Sequence, residues 1–150
     1  MRIVIQRVSE ASVRINGSVK GEIGQGLLIL LGIEHDDTKD DADWLIQKVI
    51  QLRIFSDKEG KMNWSIRDVK GRFLVISQFT LHASTKKGNR PSYIRAARPE
   101  TATPLYTYFL ENLEEQSETK VERGEFGADM KVALINDGPV TILMDSKNRE

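Results

Sequence analysis

Apolar and polar positions alternate at the start of the chain, and this period of two predicts a strand from Arg2 to Val8. A second short strand is expected at Ser12 to Ile15, with Asn16-Gly17 as a two-residue turn into a third at Ser18 to Ile23. Leu27 to Ile33 is apolar throughout, which suits a strand buried on both faces and central in its sheet. The period then changes. Trp44, Leu45, Val49 and Leu52 recur at helical spacing and predict a helix from Asp40 to Leu52 with Thr38 as its N-cap. Arg53 to Phe55 reads as a strand, Asp57-Lys58-Glu59-Gly60 as a turn, and Arg72 to Phe79 as another strand. His82 to Arg98 has no period and predicts a long surface loop tipped by Lys87 to Pro91. A second helix follows, capped by Thr101 or Thr103, with Pro104 in its first turn and Leu105, Phe109 and Leu113 on its buried side. Strands at Thr119 to Glu122, Met130 to Ile135 and Val140 to Met144 complete the pattern, and Lys147 to Glu150 reads as a frayed tail.

The last two strands flank an odd segment, Asn136-Asp137-Gly138-Pro139. Proline has no N–H for a ladder, so something interrupts the sheet there. Two readings stand side by side: a tight turn or bulge, or a rigid piece of backbone that glycine allows a ligand to approach closely.

Composition narrows the possible chemistry. With 150 residues, 39% hydrophobic and 29% charged, one domain covering residues 1–150 is expected, with no second core needed. No cysteine is present, which excludes a disulfide framework, thiolate catalysis and Cys-based zinc sites, and two histidines make a His-rich metal centre a poor expectation. The longest apolar run is far shorter than a membrane span, and the alternating N-terminus does not read as a signal peptide. We therefore expect a cytoplasmic protein with no metal, no cofactor and no membrane partner. The formal net charge is zero, yet Lys86, Lys87, Arg90, Arg95 and Arg98 fall in one stretch without an acid. That stretch is either a solvated face or a nucleic-acid contact. Asp36, Asp37, Asp40, Asp41 and Asp43 gather at a helix start, where they favour the helix dipole.

Ser77 to His82 carries the densest candidate chemistry. If the strand continued, Gln78, Thr80 and His82 would share a face, and a Thr80 nucleophile activated by His82 would be one possibility. The other is backbone donation, with the N–H groups of Phe79 and Thr80 stabilising an oxyanion where the strand frays.

Taken together, Ser77-Gln78-Phe79-Thr80-Leu81, Lys87-Gly88-Asn89-Arg90-Pro91-Ser92, Phe126-Gly127-Ala128-Asp129-Met130 and Asn136-Asp137-Gly138-Pro139-Val140-Thr141 resemble the D-aminoacyl-tRNA deacylase family. Gln6-Arg7-Val8 and Gly21-Glu22-Ile23-Gly24 extend the similarity over essentially the whole chain. The resemblance implies an α/β fold, with antiparallel sheets forming a barrel-like body flanked by two main helices. It implies a homodimeric hydrolase that cleaves the ester between tRNA and a D-amino acid or glycine. In that family the Gly-Pro peptide is cis and reaches into the partner subunit's active site, a role that falls on Gly138 and Pro139, with Arg7 holding the turn. Phe79 and Thr80 become backbone oxyanion donors, Ser77 and Gln78 shape the pocket, and the 2′-OH of the terminal adenosine assists water. Lys86, Lys87, Arg90 and Arg95 become candidates for tRNA phosphates. Two positions depart from the family pattern: Arg123 stands where threonine is expected, and His82 where tyrosine is common. Two alternatives follow from the same residues, a non-catalytic tRNA or nucleic-acid binding module and an L-selective tRNA-editing deacylase.

Overall fold

The alternation at the N-terminus runs further than its first apolar stretch: β1 extends unbroken from Arg2 to Ile15 in the computed structural model, which describes residues 1–150. The polar pair Ser9-Glu10 is a bulge in the strand and not a gap between two strands, because the pairing register shifts around Val8 to Glu10. That bulge changes which side chains face which core. Ile3 and Ile5 point into the larger core, whereas Val8, Ala11 and Val13 point into the smaller one.

Through the Asn16-Gly17 turn, β1 pairs with β2 (Ser18–Ile23), then with β3 (Gly26–Gly32), so these two strands form one long return arm along β1. Along the opposite direction of pairing, β8 (Lys131–Asp145) runs antiparallel to almost all of β1. The strands expected separately at Met130 to Ile135 and Val140 to Met144 are therefore one strand. Asn136 to Pro139 makes no hairpin.

β3 is central as its composition requires, with Leu27, Leu28, Ile29 and Leu31 buried between β1 and β6 (Arg72–Ser77). The β3–β6 pair and the β6–β7 pair, with β7 at Val121–Arg123, are parallel, so the sheet is mixed. Parallel neighbours need crossover connections, and the two helices supply them. The β3–β6 crossover contains α1 (Lys39–Gln51) and a small ribbon of β4 (Phe55–Ser56) with β5 (Met62–Trp64), while α2 (Pro99–Ser117) links β6 to β7. β5 has no legible pattern of its own, and β4 begins two residues later than the strand expected at Arg53.

In α1, the Thr38 N–H donates to the Asp41 carboxylate at 2.8 Å, and Ala42, Leu45, Ile46 and Val49 are fully buried. Burial pushes the Asp41 carboxyl up, but hydrogen bonds from Ser146 and Thr38, with the Met1 ammonium and Lys147, outweigh it and hold the group below its ordinary range. α2 starts earlier than the threonines suggest: Pro99 takes the first helical position after Arg98, which brings Ala102 inward with Leu105, Phe109 and Leu113. Pro104 consequently lies inside the helix, where the carbonyl it leaves unpaired belongs to exposed Glu100 and is open to water.

Phe55, Phe73 and Phe109 fill the larger core between the helices and one face of the sheet. Leu28, Leu74 and Ile76 fill the smaller one with Val8 and Val13, inside the curl of the sheet. The result is a nearly closed, barrel-like body carrying two helices. The tail is not frayed throughout: the Arg149 guanidinium lies 4.5 Å over the Trp44 ring, and Lys147 Nζ donates to the Asp36 carbonyl at 2.7 Å.

Candidate active site

β6 leaves the sheet after Ser77, two residues before the sequence pattern suggests. The Gln78 N–H makes the last ladder bond, 2.7 Å to the Leu31 carbonyl, and the chain then enters a short 3₁₀ turn, Phe79–His82. Leu81 N–H bonds back to the Gln78 carbonyl at 3.2 Å and Ala83 N–H to the Thr80 carbonyl at 3.1 Å. The Phe79 and Thr80 N–H groups, the first in the turn, have no acceptor within it and no side-chain cap.

This turn removes the shared strand face of Gln78, Thr80 and His82, and with it the Thr80–His82 dyad. His82 is 3% exposed and lies beneath the turn, while the Gln78 side-chain amide donates to Thr80 Oγ1. Close packing demands Gly32 here, since a β-carbon at that position would come within 2.9 Å of the Gln78 carbonyl oxygen and 3.0 Å of the His82 ring. Arg2 Nη1 braces the turn with a 2.7 Å hydrogen bond to the Leu81 carbonyl.

Ser77, Gln78 and Phe79 form one wall of a mainly apolar cavity of about 250 Å³, and Phe126 to Met130 form the facing wall. Phe79 remains 57% exposed at the rim, with Tyr93 packed edge-on against it at 5.1 Å between ring centroids. Phe126 in turn leans on Tyr106 at 5.7 Å; burial pushes the Tyr106 phenol up to about 12, so it serves as packing and as a 3.2 Å donor to the Val75 carbonyl. Neither departure from the family pattern lines this cavity: Arg123 is in β7 and His82 lies under the turn. In the sequence, Phe126 to Met130 stands out only as one of the four motifs of the resemblance, and nothing in it points to the Tyr93 contact.

Gly138 and Pro139 stand elsewhere in the same chain. In the β1–β8 pair, Gln6 faces Thr141 and Val8 faces Asn136, so four residues, Asp137 to Val140, bulge out opposite the single residue Arg7. The Gly138–Pro139 peptide is cis, and Asp137, Gly138 and Pro139 are exposed. Arg7 is nearly buried; its Nε donates to the Asp137 carbonyl at 2.8 Å and its Nη1 to the Ile54 carbonyl at 2.5 Å. Asn136 closes the bulge from within, accepting from Val140 N–H at 2.9 Å and donating to Thr141 Oγ1 at 2.9 Å. Arg7 pairs with Leu27, whereas Ser77 pairs with Leu31, so the bulge and the cavity are separated by four residues of β3, roughly 13 Å along the strand. Arg7, Gly138 and Pro139 thus form one group, and Ser77, Gln78, Phe79 and Thr80 another.

The basic loop is tied down at its base and free at its tip. Ser84 and Ser92 exchange two backbone hydrogen bonds of 2.8 and 2.9 Å, and Ala97 N–H donates to the Ile33 carbonyl at 2.9 Å. Lys86, Lys87 and Arg90 are exposed and make no ion pair. Arg95 differs, since its Nη2 lies 2.5 Å from Glu34 Oε1.

No helix of the chain is long and apolar enough to cross a membrane. Residues 4–145 match the family described as D-Tyr-tRNA(Tyr) deacylase. A D-aminoacyl-tRNA deacylase of Akkermansia muciniphila is 64% identical over 150 residues, covering 100% of both chains. Among solved structures, a c-Myc DNA unwinding element binding protein is 40% identical and superposes with a TM-score of 0.91 over 97% of this chain and 98% of its own. A probable eukaryotic D-amino acid tRNA deacylase, 15% identical, shares the fold with a TM-score of 0.82 over 95% of this chain and 97% of its own. With the Ser77 to His82 turn and the Arg7-held bulge in place over its full length, the chain belongs to the D-Tyr-tRNA(Tyr) deacylase family.

Proposed function

We propose that this chain hydrolyses the ester between a D-amino acid and the 3′ end of tRNA, releasing free tRNA and the amino acid, and passes glycine as well. The observation that carries the mechanism is the pair of leading N–H groups of the Phe79–His82 turn, those of Phe79 and Thr80, with Phe79 lining an apolar cavity and no side-chain nucleophile and base beside them. Water adds to the ester carbonyl, the negative charge formed on the carbonyl oxygen is received by the two N–H groups, and collapse expels the ribose 3′-oxygen, which takes up a proton. The 2′-OH of the terminal adenosine assists the water, while Ser77 and Gln78 shape the pocket.

Chirality is read by backbone. The carbonyls of Gly138 and Pro139 accept hydrogen bonds from the substrate ammonium and leave only one direction free at the α-carbon, so an L side chain meets the main chain and glycine meets nothing. These carbonyls come from a second copy, making the enzyme a homodimer with composite sites. Three features support that arrangement: the separation of bulge and cavity within one chain, the exposure of the bulge, and the open outer edge of β8, where Ile135 and Leu143 are 54% and 63% exposed. Lys86, Lys87, Arg90 and Arg95 form a phosphate-positioning surface for the acceptor end of tRNA, and the reaction belongs to the cytoplasm, where it keeps D-residues out of translation.

Purified protein is expected to discharge D-tyrosyl-tRNA while leaving L-tyrosyl-tRNA largely intact. A second reading, a nucleic-acid binding module without chemistry, is favoured by the exposed basic tip and by the name of the 40% identical relative. Retention of tRNA with no loss of either ester would support it.

A further inference from the structure

Glu34 joins two structures that the proposed reaction uses separately. One oxygen of its carboxylate, Oε1, lies 2.5 Å from Arg95 Nη2 and 3.3 Å from His82 Nδ1. Arg95 stands on the basic loop with a largely exposed side chain, whereas the wholly buried His82 closes the 3₁₀ turn that begins at Phe79. Neither ring nitrogen of His82 makes a well-formed hydrogen bond; the Gly32 backbone and Glu34 are the groups that approach them. The backbone carries a second link between the same elements, since Glu34 bridges to Ala96 and Tyr93 of that loop packs against Phe79.

The charged groups around His82 come from three directions: Glu34 after β3, Arg2 on β1 and the Met1 ammonium. Burial holds the imidazole below its ordinary value and Arg2 and the Met1 ammonium act the same way, while the Gly32 backbone and then Glu34 oppose them. Glu34 is itself 8% exposed, so a change in one of its two partners falls on the other.

We propose that Glu34 is a positioning residue that couples phosphate binding at Arg95 to the orientation of the Phe79 and Thr80 amides through His82. A phosphate that engages the Arg95 guanidinium weakens its pair with Glu34, and the buried carboxylate turns to the imidazole 3.3 Å away. His82 takes one proton from solvent, its Nδ1–H bonds to Glu34, and the turn is fastened while the RNA is bound. The inference rests on the deacylase reading for its purpose, but its test does not depend on turnover.

The test is the titration midpoint of His82 followed by NMR on the full chain, with and without a non-aminoacylated RNA minihelix of the acceptor stem. The minihelix is expected to raise the proton affinity of His82 about tenfold, Arg95→Ala to do so without RNA, and Arg95→Lys to restore the free value in part. Glu34→Gln is expected to remove the response to RNA and, on D-tyrosyl-tRNA, to lower kcat about tenfold with KM changed less than about twofold. An unmoved midpoint in minihelix-saturated protein, or the same movement in Glu34→Gln, overturns the coupling. The Arg95→Ala arm needs no RNA, so failure of the protein to bind or discharge tRNA counts against the proposed function alone, and an unmoved midpoint in Arg95→Ala counts against the coupling alone.

Discussion

Arg7 Nε donates a 2.8 Å hydrogen bond to the Asp137 carbonyl, fastening the exposed β8 bulge to the middle of β1. The same guanidinium donates to the Ile54 carbonyl at 2.5 Å, so one side chain serves two backbone carbonyls. Arg7→Ala is expected to lower stability by about 3 kcal/mol in urea denaturation, because both carbonyls lose their partner. It is also expected to reduce the ratio of D- to L-ester hydrolysis, since the bulge is then free to shift. An unchanged ratio in folded Arg7→Ala would separate the bulge from chiral selection.

Gly138 has φ +141, and a β-carbon there would lie 2.9 Å from Arg7 Nη2 and 2.8 Å from Val140 Cγ2. Gly138→Ala therefore strains the bulge at an exposed position, and no residue of either core's fully buried set lies among its close contacts. D-tyrosyl-tRNA hydrolysis is expected to fall at least about tenfold with the melting temperature little changed. Full activity in this variant would mean that the bulge does not meet the substrate.

The Thr80 hydroxyl already accepts from the Gln78 amide, and the residue's proposed contribution is its N–H. Thr80→Ala should keep activity within about threefold of the parent, whereas loss of a true nucleophile costs orders of magnitude. A drop beyond about a hundredfold in kcat would return the hydroxyl to the chemistry.

At the loop tip, Lys86, Lys87 and Arg90 are solvent-exposed cations with no acidic partner. Their combined replacement by alanine should flatten the dependence of log K on log salt for tRNA binding by about two to three. The D-to-L ratio should stay the same, because in the proposed reaction these residues hold phosphates and do not read the amino acid. A change in the ratio with no change in slope would contradict both statements.

His82 gives the fold an acid-side weakness. Burial keeps its imidazole below the ordinary value of 6.5, so the unfolded chain binds the proton more readily. The stability this contributes is complete above the unfolded value and is lost as pH falls through the window below 6.5 toward the folded value. Thermal melts from neutral to mildly acidic pH should show the melting temperature falling, and His82→Phe should flatten that fall. Parallel profiles for the two proteins would place the acid sensitivity elsewhere.

Much of the fold was legible because one force dominates each legible element. Leu27 to Leu31 had nowhere to go but the centre of a sheet, and the helical recurrence around Leu45 and Val49 could serve only a helix. The misreadings share a cause, tertiary contacts that override local chemistry. Ser9-Glu10 and Asn136 to Pro139 looked like breaks, yet a long partner strand absorbs each as a bulge. The end of β6 was hidden because Phe79 and Leu81 have strand composition, and the turn there depends on Gly32 and Arg2, distant in sequence. Likewise Thr101 and Thr103 offered good caps, but burying Ala102 required an earlier start. Within the site, local chemistry marks the motif residues and only the family resemblance groups them: it places Arg7 at the Gly138-Pro139 turn, where Arg7 Nε does hold the Asp137 carbonyl, whereas the stretch of β3 between that bulge and Phe79 follows from strand register alone.

At the centre of the proposed reaction is backbone that admits one mirror image of the amino acid. Initial rates on D- and L-tyrosyl esters of one tRNA, measured with the same enzyme preparation, test this most directly. The prediction is rapid discharge of the D-ester and a rate at least about a hundredfold lower for the L-ester. Equal rates on the two esters would contradict it.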